Sequence, residues 1–297
     1  MRLVTTCRPH LLRRSRQAVL GGRVVVVVGL VGGLMTGCGE APRPDVPRPP
    51  FVTLEPGLEM VRRWPEGADP ERQEPVTLLH VDPTRFDLRL LTAAEHGGAR
   101  PVDRWAADFD LVAAINASMY LPNERSTGLM VDGDRVNNPA LNPRFEGLLA
   151  FGPKRPGLPP VRLVGLECDG VDVDSLRARY RTLVQNYRLL DCTGEPIPWE
   201  DRKLYATAAI GLDDRGWIVF VHSGEPQQTS SLAQWLARQD WGMQEAHFVE
   251  GGSDASLFVS GGGTRIEAVG RYEGMVAPRR FRDVPNVLGV VRKGTAR

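Results

Sequence analysis

Three stretches of the sequence place groups capable of acid–base or hydrogen-bond chemistry at the ends of apolar runs. In Phe248-Val249-Glu250-Gly251-Gly252-Ser253-Asp254-Ala255-Ser256-Leu257 an apolar strand ends in a carboxylate, and two glycines let the backbone turn tightly toward a ligand. Glu250 is thereby presented as an acid at a strand end, and Asp254 follows it four residues later through the turn. A glycine hairpin with both acids solvated would be spelled the same way. In Val112-Ala113-Ala114-Ile115-Asn116-Ala117-Ser118-Met119-Tyr120 a second buried strand delivers Asn116, Ser118 and Tyr120, polar groups that either meet a substrate or bond a neighbouring loop. The third stretch, Leu183 to Leu190, carries Gln185 and Arg188. A guanidinium is a planar fork of donors that matches phosphate oxygens, and the competing role for Arg188 is a salt bridge to Asp191 or Glu195.

The common fingerprints of other chemistries are missing. His80, His96, His222 and His247 are neither paired at helical spacing nor placed beside a cysteine pair, so no metal is expected. There is no G-x-S-x-G elbow and no G-x-x-x-x-G-K-[ST] phosphate loop, and no cofactor is expected.

The elements that must position these groups are mostly strands. Short apolar runs alternate with turn clusters, and they predict strands over Val76–Val81, Phe86–Leu91, Leu111–Asn116, Gly147–Phe151, Val161–Leu166, Leu204–Leu212, Trp217–His222, Ala246–Glu250, Ser256–Val259 and Val287–Val291. Asp213-Asp214-Arg215-Gly216 predicts a hairpin, which makes its flanking strands antiparallel. Helices are predicted over Val102–Phe109, Ser175–Val184 and Ser231–Trp241, the last with Ser230 or Ser231 as N-cap and Gly242 as C-cap. The expected fold class is α+β, a mixed and largely antiparallel sheet with a few packed helices.

The first segment has the order of an export signal. Six arginines precede the apolar run Val24–Met35, which is followed by small residues and Cys38. Twelve residues rise about 18 Å as a helix, short of the roughly 30 Å hydrocarbon core, so cleavage is favoured over a permanent span. Met35-Thr36-Gly37-Cys38 resembles a bacterial lipobox, which implies lipidation at Cys38 and a membrane partner reached through a lipid anchor on the cell envelope. Residues 41–50 hold five prolines, a composition suited to an extended tether. The expected division is a signal peptide over 1–37, a Pro-rich tether over 38–56 and one domain over 57–297. In an oxidising compartment Cys168 and Cys192 form one disulfide or stay as two buried thiols.

Composition bounds the rest. The 297 residues are 42% hydrophobic and 25% charged, enough for a sizeable core and unlike a disordered chain. The formal net charge of +1 includes the six arginines of the first segment, and without that segment the balance is −5, which argues against nucleic acid as a partner.

In this order the three stretches resemble the phosphodiester glycosidase domain family, over roughly residues 75–292. The family shows a strand ending N-G-G-F-F before a G-L dipeptide and a D-G turn, then a Q-S-x-x-R-L-type strand, then a strand ending L-D-G-G-G-S-S. Asn116-Ala117-Ser118-Met119-Tyr120, Gly128-Leu129, Asp132-Gly133, Gln185 to Leu189 and Glu250-Gly251-Gly252-Ser253 stand at those places. The resemblance implies hydrolysis of a sugar phosphodiester or a related glycosidic bond, with a saccharide or sugar phosphate as substrate. It implies Glu250 as general acid or base, Asp254 as the second carboxyl group, Asn116 and Ser118 on substrate hydroxyls, and Arg188 on the phosphate. Glu250 stands where the family has Asp, Ala117-Ser118 where it has two glycines, and Thr207-Ala208 where it has R-T before an A-x-G strand. Those departures keep a second expectation open, a catalytically inactive glycan-binding lipoprotein of the same fold.

Overall fold

The computed structural model describes residues 51–168, 170–200, 202–276 and 280–294, all within the unit Val46–Arg297. The export-like segment, Cys38 and most of the expected tether lie outside the described residues. In chain order the elements are β1 (Val52–Glu55), β2 (Leu58–Arg63), β3 (Val76–Val81), β4 (Phe86–Thr92), α1 (Ala93–His96), α2 (Val102–Phe109), β5 (Ala113–Asn116), β6 (Met130–Asp132), β7 (Arg135–Asn138), β8 (Gly147–Pro153) and β9 (Val161–Gly165). There follow α3 (Val173–Arg179), β10 (Tyr180–Leu190), β11 (Tyr205–Asp213), β12 (Ile218–Gln227), α4 (Thr229–Arg238), β13 (Met243–Gly251), a single 3-10 turn over Gly252–Asp254, β14 (Ser256–Gly261), β15 (Thr264–Val269) and β16 (Asn286–Arg292).

Two sheets carry the fold. The larger runs β1-β2-β3-β12-β11-β13-β10-β6-β7, with β8 and β9 branching from β10; the smaller runs β15-β14-β5-β16-β4. Their facing sides alternate with their outer sides as a pleat requires. Leu79, Phe220, Ile210 and Val249 of the larger sheet share one buried cluster with Ile115, Leu257, Val259 and Leu288 of the smaller. Phe258, next to Leu257, points outward and packs with Trp105 and Val102 of α2. On the opposite outer face α4 lays Leu232, Trp235 and Leu236 over Val219, Val221 and Phe248.

Every described strand pair is antiparallel, so the mixed sheet expected from sequence narrows to an antiparallel one, and the helices are dressing on its outer faces. The Asp213–Gly216 hairpin forms as expected: Asp213 Oδ1 accepts from the amides of Arg215 and Trp217 at 2.9 Å each, and Gly216 takes φ +75°.

Three expectations are corrected. The predicted helix Ser175–Val184 stops at Arg179, and Tyr180 opens the eleven-residue strand β10. Asp172 caps that helix through Ser175 N at 2.9 Å, while Thr182, Leu183 and Val184 are buried in sheet contacts with β6 and β8. The fourth helix begins and ends earlier than predicted. Gln228, not a serine, precedes it, and Thr229 turns its hydroxyl to Tyr205 Oη at 2.8 Å. Finally, β1 occupies Val52–Glu55, inside the stretch expected to be tether, and pairs with β2 through a turn at Gly57.

Candidate functional site

The end of β13 departs from regular pairing where the site is built. Against β11, Ala208 faces Glu250 and Ala209 faces Phe248, so Val249 is the extra residue of a bulge. The bulge keeps Val249 in the inter-sheet core and also turns Glu250 toward the side of Ala208, at the rim of the space between the sheets. Glu250 is only 9% exposed, and its Oε1 accepts from the Gly251 amide at 3.0 Å. Burial pushes its carboxyl up to about 8, with the Asp254 charge adding to the rise and the Gly251 amide opposing it. At neutral pH Glu250 therefore holds a proton.

Gly251 and Gly252 are required by what lies over them. A Cβ on Gly251 would sit 2.9 Å from the Tyr205 ring and 3.1 Å from Phe248; one on Gly252 would overlap the Tyr272 ring, and Gly252 has φ +68°. The turn then brings Asp254 to face Tyr120, which donates its hydroxyl to Oδ2 at 2.8 Å, and Arg282, whose Nε lies 3.2 Å from Oδ1. Arg282 Nη1 also donates to Ser253 Oγ at 2.9 Å. Burial, with the Asp254 hydrogen bond and charge, raises Tyr120 above the ordinary tyrosine range, so it remains a donor.

Asn116, Ser118 and Gln185 serve the scaffold. Asn116 Nδ2 donates to Asp254 O at 2.9 Å and its Oδ1 accepts from Ser256 N at 2.8 Å, bracketing the acidic turn from β5. From the β12 side His222 Nε2 donates to Ala255 O at 3.2 Å, and burial lowers this histidine to about 4, so it is neutral. The Ser118 amide donates to Asn286 Oδ1 at 2.9 Å, and its hydroxyl lies between Ser126 Oγ and Gln185 O. Gln185 spends its carboxamide on the backbone either side of the β6–β7 hairpin, accepting from the amides of Leu129 and Asn142 and donating to the carbonyls of Asn142 and Phe145. These side chains are 1% exposed, so they hold the site's walls instead of offering free groups to a substrate.

Arg188 is placed elsewhere. It pairs in register with His247, three residues before Glu250, a separation of roughly 10 Å along the strand. Its Nη2 lies 3.1 Å from Cys168 Sγ, and its Nε 3.9 Å from Glu245 Oε1. The ion-pair alternative is therefore what forms, with Glu245 in place of Asp191 or Glu195. Cys168 and Cys192 are disulfide-bonded, tying the segment after β9 to the turn after β10. The cation beside the carboxylates is Arg282, which sequence reasoning missed along with Tyr272. Both lie in the loop between β15 and β16, where the only signal was basic and aromatic residues in an irregular stretch.

An antiparallel sandwich that holds a buried acid at a strand-end bulge, beside a second carboxylate bound by a tyrosine and an arginine, is an arrangement able to do acid–base chemistry. Residues 109–291 match the phosphodiester glycosidase family, and the chain belongs to it. That membership points to phosphodiester glycosidase activity in general and to a sugar-containing substrate. The fold is similar to that of the zebrafish N-acetylglucosamine-1-phosphodiester alpha-N-acetylglucosaminidase catalytic domain auto-inhibited by its pro-peptide, with TM-score 0.55 and 14% identity, over 80% of this chain and 84% of that one. It is also similar to a protein of Synechocystis, with TM-score 0.56 and 16% identity, over 83% of this chain and 64% of that one. A sequence search of curated proteins finds no match.

Proposed function

We propose that this chain is an envelope-anchored glycosidase that hydrolyses a sugar phosphodiester or a related glycosidic bond. The observation that carries the reading is Glu250, raised to about 8 by burial and set in one turn with Asp254. A protonated carboxyl at neutral pH is the group needed to give a proton to the departing phosphate oxygen as the bond to the sugar breaks. Asp254, oriented by Tyr120, takes the proton of the attacking water, so that the sugar gains a hydroxyl and the phosphate leaves as a monoester. Arg282, with its side chain 62% exposed, is the cation that meets the phosphate. Anchoring rests on the Cys38 motif alone, as transfer of a diacylglycerol to the thiol of that residue, which cleavage then leaves as the new N-terminus.

The full chain is expected to release free sugar from a panel of sugar-1-phosphodiesters, and Glu250→Gln to lower the rate at least a hundredfold. No turnover across the panel, or an unimpaired Glu250→Gln, removes the hydrolase. Incorporation of labelled palmitate in a bacterial host, lost in Cys38→Ala, tests the anchor.

One observation favours a glycan-binding protein without turnover: Glu250 is 9% exposed and already engaged by the Gly251 amide, with the Tyr272 ring across Gly252. That reading predicts saturable glycan binding and no product.

A further inference from the structure

A run of aromatic rings leads away from the acidic turn along the outer face of the larger sheet. Tyr272, 44% exposed over Gly252, lies 6.4 Å from Tyr205, which lies 6.3 Å from Phe248. Phe248 lies 5.2 Å from Trp199, Trp199 lies 5.3 Å from Tyr187, and Tyr187 lies 4.2 Å from Phe145. Phe145 and Phe248 are buried and back the run, whereas Tyr187, Trp199 and Tyr205 are half-buried. At the far end Tyr187 and Trp199 line a cavity of about 370 Å³ whose walls also include Arg144, Glu146, Arg188 and Glu200.

The rings are fixed in place. Trp199 Nε1 donates to Arg188 O at 3.2 Å, and Tyr205 Oη accepts from Thr229 at 2.8 Å, so little side-chain entropy remains to be lost on binding. A fixed aromatic face beside polar groups suits a ligand that has an apolar C–H face and a hydroxyl edge. A pyranose ring has both. Two carboxylates and two guanidiniums around the cavity leave it without a dominant sign, which fits a neutral sugar better than a polyanion.

We infer that this aromatic run is an extended saccharide subsite, so that, resting on the glycosidase reading of the Glu250 turn, the substrate is an oligo- or polysaccharide and not a small sugar phosphate. Sugar units remote from the scissile bond stack on Trp199 and Tyr187, and the units next to it pass Tyr205 and Tyr272.

The test is titration of the full chain with tetrasaccharides of β1,4-linked glucose, β1,4-linked N-acetylglucosamine and α1,4-linked glucose, each against its monosaccharide, followed by calorimetry and tryptophan fluorescence. At least one tetrasaccharide is expected to bind ten times more tightly than its monosaccharide. Trp199→Ala abolishes that gain, and Trp199→Phe retains most of it. Glu200→Ala, an exposed position whose substitution spares the fold, reduces it at least threefold. No gain for any tetrasaccharide, or a gain unchanged in both Trp199→Ala and Glu200→Ala, overturns the subsite. Tetrasaccharide binding with no turnover of the tetrasaccharides or of any sugar-1-phosphodiester upholds it while removing the hydrolase. Turnover of a sugar-1-phosphate methyl ester with no tetrasaccharide gain does the reverse.

Discussion

Tyr120 donates its hydroxyl to Asp254 Oδ2 at 2.8 Å across 134 positions of sequence, joining the strand-end segment after β5 to the turn after β13. A hydrogen bond to a carboxylate is worth about 1.5–3 kcal/mol, and this one also fixes which way the acid faces. Tyr120→Phe is expected to lower kcat ten- to a hundredfold with KM changed less than threefold, measured on the substrate that the panel identifies. An unchanged kcat would make the contact purely structural.

Glu250 gives the pH dependence a sign. Its folded value of about 8 lies above the ordinary 4.5, so between these values the folded chain holds a proton that the unfolded chain has released. Stability therefore falls as pH rises from about 4.5 through 8, and activity that needs the protonated acid falls as pH passes about 8. Urea unfolding at pH 5, 7 and 9 should show a decline in wild type that is smaller in Glu250→Gln. Parallel profiles for the two proteins would contradict the raised value.

Two arginines separate substrate contact from scaffold. Arg188 is buried against Glu245 and Cys168, and Arg188→Ala should cost about 1–3 kcal/mol by leaving Glu245 with His247 as its remaining partner, with kcat on a sugar-1-phosphate methyl ester, too small to reach the Trp199 cavity, within threefold of wild type per folded molecule. Arg282 is mostly exposed, so Arg282→Ala should cost under about 1 kcal/mol, yet raise KM for a phosphodiester at least tenfold while sparing a neutral glycoside. Equal effects of Arg282→Ala on charged and neutral substrates would remove its phosphate role.

Gly252 stands at φ +68° beneath Tyr272. Gly252→Ala should destabilise by about 1–3 kcal/mol and cut activity sharply, because the backbone strain and the ring clash both displace the acidic turn. Tyr272→Ala in the same chain removes the clash and leaves the strain, so it should restore part of the stability in thermal melts.

Reduction of the Cys168–Cys192 disulfide opens a loop of 24 residues, worth about 3 kcal/mol in the loop-entropy account. A domain of this size should lose roughly 6–12 °C in Tm when reduced. A melt insensitive to reductant would show that the bond contributes nothing.

Much of the fold was legible because a short apolar run bounded by turn residues is a local signal. Val76–Val81 and the 213–216 hairpin follow from their own residues, and Glu250 followed by two glycines marks the acidic turn. The strand β10 was half concealed, since Ser175–Val184 has helical composition at its start and only pairing with β6 and β8 settles Tyr180 onward as strand. What the sequence alone determined was ten of the sixteen described strands and the place of the acid, because apolar runs and glycine turns act over a few residues; β1, β2, β6, β7, β10 and β15 emerged only with their pairing partners. Only the tertiary structure decided which polar groups meet that acid: Asn116 became a bracket, Arg188 went to Glu245, and Arg282 and Tyr272 arrived from an irregular loop. Those choices depend on the register of distant strands and on which buried charges find partners, and neither quantity is carried by neighbouring residues.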